Sequence, residues 1–150
     1  FGGVERAEQI FQHVTGVAAE DGITFRMDIA LRANTVLAHR ALHYALINFG
    51  AEKQAQLKVS LMDAYFTEGL DIGDISIIVN RCNAVGIPGT DVERYLNGGG
   101  GIEEVRFDME AAMAREISAV PSFVIDDRFL IPGAQDVDVF VNVFERVLAQ

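Results

Sequence analysis

A lone cysteine, Cys82, is all the thiol this 150-residue chain carries, and one sulfur can neither close an internal disulfide nor build a cysteine-rich zinc site. By itself it points to a reducing compartment, where thiols stay free. Positive charge is scarce as well: 12 Lys and Arg stand against 22 Asp and Glu, a net charge of −10. That balance repels a phosphate backbone and no basic cluster offsets it locally, so nucleic acid is not an expected partner. Long apolar runs are missing too. Stretches such as Ala45-Leu46-Ile47 and Val124-Ile125 fall far short of the roughly 20 residues a helix needs to cross a bilayer, so no membrane association is expected. Phe1-Gly2-Gly3 leads straight into charged amphipathic sequence without a signal-peptide pattern. A phenylalanine in first place is expected to mark a start within a longer frame, or after processing.

What is present is a globular composition. Half the residues are hydrophobic and 23% are charged, enough apolar surface to offset chain entropy. The length fits one domain, or a helical subdomain attached to a smaller partner.

The hydrophobic period is helical up to about residue 116. Val4, Ala7, Ile10, Phe11, Val14, Val17 and Ala18 recur at three and four, so residues 3–20 read as an amphipathic helix that Asp21-Gly22 stops. Ile23 to Ile29 alternates apolar with polar and reads as a short extended segment. Asn34 is expected to N-cap a helix running to Phe49, with Gly50 as its stop. A further helix over 52–68 ends at Gly69. Another, from Asp74 to Val85, carries Ile75, Ile78, Val79, Cys82 and Val85 on one stripe. Thr90 and Glu93 form a capping-box pattern opening a short helix to Leu96. The four glycines 98–101 lack the following Lys-Ser/Thr of a phosphate loop and read as a helix C-cap and flexible hinge. A helix over 102–116 follows.

The pattern then changes to strands. Val120-Pro121-Ser122-Phe123-Val124-Ile125-Asp126 is β-rich, Asp127-Arg128 reads as a turn, and Phe129-Leu130-Ile131 completes a hairpin. Val137, Phe140, Val141, Phe144 and Leu148 place an amphipathic helix on it. A hairpin alone cannot bury a face, so further strands are expected from outside this chain or from a second copy. The expected domains are 1–116, helical, and 117–150, strand–strand–helix.

His39 and His43 lie four apart on one helix. A zinc site would need at least one more ligand and no His-Glu-x-x-His pattern is present, so they read as helix histidines and no metal is expected. Cys82, on an apolar stripe, reads as an inert core thiol. His13 has no evident partner. Tyr65 and Phe66 read as core.

Four segments carry a resemblance. They are Asn34-Thr35 with Ala38-His39-Arg40; Ala64-Tyr65-Phe66-Thr67-Glu68-Gly69 with Asp71-Ile72; Val120-Pro121-Ser122-Phe123-Val124-Ile125; and Gly133-Ala134-Gln135. In this order, over nearly the whole chain, they resemble the FrnE-type branch of DsbA-like thioredoxin-fold proteins. The resemblance implies an α/β, thioredoxin-like fold of DsbA type with a large helical insertion, here mostly helical with a C-terminal hairpin and helix. It also implies an N-terminal strand, Cys-x-x-Cys helix and strand, which this sequence lacks, so no catalytic residue is expected in this chain. Pro121 would be cis, and the backbone of Val120 would pair with an extended substrate peptide. Asn34 and His39 would cap and position the helical domain beside the redox centre. Gln135 would end the last strand and start the final helix. Ser118-Ala119 depart from the glycine that commonly precedes Val-Pro in the family.

The function implied is thiol–disulfide exchange on a thiol- or disulfide-containing peptide or protein, without a bound cofactor, in the cytoplasm. Two alternatives stay open. One is a glutathione-dependent isomerase of the kappa-transferase kind, in which a serine often replaces the nucleophilic cysteine. The other is a redox-inactive peptide-binding module that completes its sheet as a homodimer.

Overall fold

The structure is a computed structural model that describes residues 4–149. Gly3, the expected first residue of the opening helix, lies outside them. The elements run α1 (Val4–Glu20), α2 (Val36–Phe66), α3 (Ile75–Ala84), α4 (Gly89–Asn97), α5 (Ile102–Ala114), β1 (Ser122–Ile125), β2 (Phe129–Pro132) and α6 (Val137–Leu148). Two compact units divide within α5, Phe1–Val105 and Arg106–Gln150.

The first unit is built around α2. Gly50, at φ 84 and ψ 175, is non-helical and divides this helix into two arms. A backbone at positive φ is costly for any residue with a Cβ, so glycine is what permits the break. The side-chain amide of Gln54 donates to the Leu42 carbonyl at 3.3 Å, which ties the second arm to the first. Ala41, Ala45 and Ala64 are fully buried between them; their small side chains let the arms approach closely. Helices α3 and α4 pack on this pair. Leu57, Ile78 and Val92 fill the core with no solvent exposure. Each such burial is worth about 1.5–3 kcal/mol.

Several local expectations shift by a residue or more, for identifiable reasons. Helix α2 starts at Val36 with Thr35 as the residue before it, and Asn34 caps from one position earlier by accepting the Val36 N–H at 3.0 Å. Helix α4 does not begin at a Thr90 capping box. It begins at Gly89, because Pro88 supplies an extended entrance at φ −60 and the Asn83 side chain accepts the Gly89 N–H at 2.9 Å. Residues 23–29 form no strand: the stretch passes irregularly into a turn, and its Arg26 N–H donates to the Phe66 carbonyl at the end of α2. A single alternating stretch with no neighbouring strand to pair with cannot hold extended structure.

The glycine run is a C-cap, at Gly98, but not a flexible hinge. Gly99 and Gly101 take positive φ values of 79 and 75. A Cβ on Gly100 would lie 2.3 Å from the Tyr95 ring, and one on Gly101 would lie 2.6 Å from the Tyr95 hydroxyl. Arg40, 6% exposed, donates from Nε to the Gly100 carbonyl. Gly100 and Gly101 are there for close approach to Tyr95, and Arg40 holds the segment at the Gly100 carbonyl.

In the second unit β1 and β2 pair antiparallel, with Ser122 opposite Pro132 and Ile125 opposite Phe129. The turn sits one residue earlier than expected. Asp126 and Asp127 are its central residues, both at positive φ (53 and 50), and Arg128 N donates to Ile125 O. Aspartate tolerates this conformation better than most side chains, and the hand of the turn matches strand twist. Ile131 is buried, and Phe140 of α6 meets Phe123 edge to face at 5.0 Å. The remaining residues of the expected stripe, Val137, Val141, Phe144 and Leu148, stay exposed. A hairpin of two strands is too narrow to cover more than one row of a helix.

Candidate functional site

The loop into β1 is where backbone is left available. The Val120–Pro121 peptide bond is cis, and Val120 is 90% exposed. Its neighbours on either side are engaged. The Ser122 hydroxyl donates to the Ala119 carbonyl at 2.7 Å, and the Gly133 N–H donates to the Pro121 carbonyl at 2.7 Å. Between them, the N–H and C=O of Val120 make no hydrogen bond to the described residues. An exposed, unpaired main-chain donor and acceptor beside a strand is what an incoming extended peptide needs. Gly133 reaches Pro121 because it stands at φ 76 just after β2. The Gln135 side-chain amide donates to the Pro132 carbonyl at 2.8 Å and fixes the strand end from below the loop. Pro121 and Gln135 are thus brought onto one short turn. Ser122, whose hydroxyl fixes the loop, was not singled out in the sequence; a serine directly after Pro121 was the available signal.

Asn34 and His39 belong to the other unit. Asn34 caps α2, and His39 is exposed one turn into that helix. There it lines a cleft of about 270 Å³ with Thr35, Leu42, Lys58, Tyr65 and Phe66. Tyr65 and Phe66 are only half buried; Phe66 stacks on Phe25 at 4.6 Å and meets Tyr65 edge-on at 4.8 Å. Tyr65 packs against the core as expected, and both rings also wall the cleft. His43 is half buried on the next turn. Among the described residues no three His, Cys, Asp or Glu side chains converge as a metal site, and no helix is long and apolar enough to cross a membrane. Cys82 is fully buried, and burial pushes its thiol up to about 11, away from thiolate chemistry.

Arg40 is the other residue whose role the sequence did not disclose. It lies inside the Ala38-His39-Arg40 segment, and its place in an otherwise apolar helical stretch was the only hint. Its guanidinium closes the C-terminal end of α4 through Leu96 and Gly100.

Comparison with known proteins agrees with this arrangement. The Bacillus subtilis (strain 168) protein YwbO is 33% identical over 108 residues, which cover 71% of this chain and 52% of YwbO. The crystal structure of the probable DsbA oxidoreductase SCO1869 from Streptomyces coelicolor superposes with a TM-score of 0.83 at 23% identity, over 97% of this chain and 62% of that one. A structure from Nitrosomonas europaea superposes with a TM-score of 0.74 at 19% identity, over 98% of this chain and 76% of that one. At such identities the structures speak for the fold alone. The chain therefore spans about half the length of the curated relative it matches. The family profile of the DSBA-like thioredoxin domain matches residues 3–145, nearly end to end, and with the proline loop, hairpin and helical domain all in their expected order, this chain belongs to that family.

Proposed function

We propose that this chain supplies the helical domain and the peptide-holding loop of a DsbA-like thiol–disulfide oxidoreductase of the FrnE type. The observation that carries the proposal is Val120, exposed and with both main-chain groups unpaired, between two residues whose carbonyls are already taken. That confines strand pairing with a substrate to one residue and so sets its register. The reactive cysteine pair would lie outside these residues, since Cys82 is sealed in the core. In the oxidising direction a substrate thiolate attacks one sulfur of the oxidised pair. The bond between the pair breaks, its second sulfur leaves as a thiolate, and a mixed disulfide forms. A second substrate thiolate then attacks the substrate sulfur of that mixed disulfide, which gives a substrate disulfide and the reduced pair. Val120 holds the peptide during both steps. Asn34 and His39 keep the helical domain in position, and Gln135 keeps the loop on its strand. A cytoplasmic setting, usual for the FrnE-type branch, belongs to the same proposal.

The test uses the full-length protein and two cysteine peptides that differ only in N-methylation of the amide flanking the cysteine. Loss of that main-chain bond should lower kcat/KM about tenfold. Equal rates for the two peptides would sink the pairing role of Val120. If the full-length protein holds a lone serine in place of the pair and turns over only with glutathione, the function moves to glutathione-dependent isomerisation.

A further inference from the structure

The cleft between the two arms of α2 is a candidate binding site in its own right. Thr35, just before the first arm, and His39 and Leu42 on it form one side, and Lys58, Leu61 and Tyr65 of the second arm form the other. These fall at helical spacing, so each arm turns one continuous stripe to the cleft. The walls are largely apolar, and Ile72, 9% exposed, adds to them. At about 270 Å³ the space exceeds the roughly 150 Å³ cavity that admits benzene, so a ring with a short chain fits.

Lys58 is the one fixed charge on this wall, and Thr35, His39 and Tyr65 add groups that can donate or accept. Lys58 makes no ion pair with any described residue, although acidic residues outnumber basic ones by 22 to 12. The Thr35 hydroxyl makes no capping bond. Neither the His39 ring nor the Tyr65 hydroxyl is hydrogen-bonded to a described residue. An ammonium and three groups able to donate, set around an apolar floor without a carboxylate among them, complement a single negative charge on an apolar body.

We propose that this cleft binds a small amphipathic monocarboxylate, its apolar part between the arms of α2 and its carboxylate at Lys58. The inference rests on the first unit alone and does not depend on the peptide-holding role of Val120.

The test is titration of the full-length protein with 4-phenylbutyrate and with the matched neutral alcohol, 4-phenylbutanol. Methyl NMR of Leu42, Leu61 and Ile72 reads occupancy of the cleft. The carboxylate should bind roughly three- to tenfold more tightly than the alcohol, and the difference should shrink as salt is raised. In Lys58→Met, which keeps the aliphatic stem, the preference should disappear while the alcohol binds as before. Equal affinity for acid and alcohol in the unaltered protein overturns the proposal. So does a set of shifted methyls that omits all three residues, or no binding up to millimolar concentrations.

Discussion

Arg40 Nη2 donates to the carbonyl oxygen of Leu96 at 2.6 Å, so a cation in the first arm of α2 closes the C-terminus of a helix 56 positions further along the chain. The last carbonyls of a helix lack partners within it and carry its negative end, and a guanidinium satisfies both needs. With Nε on the Gly100 carbonyl, one side chain fixes α4 and the glycine run together. Removing it leaves the Gly100 carbonyl without its donor and the Leu96 carbonyl with the Gly99 N–H alone. Arg40→Met should therefore cost about 3 kcal/mol, and Arg40→Lys, which keeps the charge but loses the fork, about 1–2 kcal/mol. Urea unfolding midpoints for the three proteins would check this ranking; equal midpoints for Lys and Met would contradict it.

The glycine run separates two reasons for glycine. At Gly100 the obstacle is space, because an added Cβ meets the Tyr95 ring at 2.3 Å. At Gly99 the nearest atom is an ordinary 3.6 Å away and only the positive φ opposes a side chain. Gly100→Ala should destabilise by about 2–4 kcal/mol and Gly99→Ala by about 1–2 kcal/mol. Combining Gly100→Ala with Tyr95→Ala should cost less than the sum of the two singles, measured as a double-mutant cycle. Additive costs would show that the ring is not what excludes the methyl.

Cys82 should behave as a core side chain. Its thiol is raised by burial from an ordinary 9.0 to about 11. Between these values the unfolded chain ionises the thiol while the folded chain keeps its proton. The thiol's contribution to stability is therefore complete below pH 9 and is lost as pH rises toward 11. Iodoacetamide at pH 8 should leave the folded protein unmodified and label it once it is denatured, as read by intact mass. Cys82→Ala should flatten the alkaline fall in stability.

Asp74 caps α3 by accepting the Ser76 N–H at 2.7 Å, and the Ser76 hydroxyl, with that N–H after it, holds its carboxyl below the usual carboxylate range. A lowered folded value means that the contribution is present above the ordinary aspartate range and fades as pH drops through the folded one. Asp74→Ala should lower Tm by roughly 2–4 °C at pH 7, while Asp74→Asn, which keeps an acceptor, should lose less. The Ala variant and the parent should converge as the solution is acidified. A constant gap down to pH 2 would contradict the role of the charge.

Legibility in the sequence followed the range of the interaction. Gly50 and Gly86 interrupt the helical backbone where glycine was expected to do so, because the positive φ each adopts is a property of one residue, whereas the second arm of α2 ends at Phe66, before Gly69. The hairpin was visible for the same reason: alternation and turn residues act over ten positions. What stayed hidden depends on distant partners. The start of α4 is decided by Asn83 and Pro88 rather than by Thr90, and the rigidity of the glycine run comes from Tyr95 and Arg40. At the loop, Val120 and Pro121 were legible through the family pattern, whereas the hydroxyl of Ser122 on Ala119 required coordinates. The cleft faced by Lys58 was invisible because its two walls come from residues some twenty positions apart, on either side of Gly50.

That glycine also bears on how the chain assembles. Were residues 36–66 a single rod, each arm would have to find distant segments to cover its apolar side. Turned back at Gly50, the two arms cover one another, and the contacts that begin the core join residues close in sequence. Such contacts cost little loop entropy and form early. The helical hairpin is thus placed to act as the folding nucleus of its unit, with α3 and α4 adding to a template that already exists. Substitutions at Gly50 should slow folding itself more than they hasten unfolding.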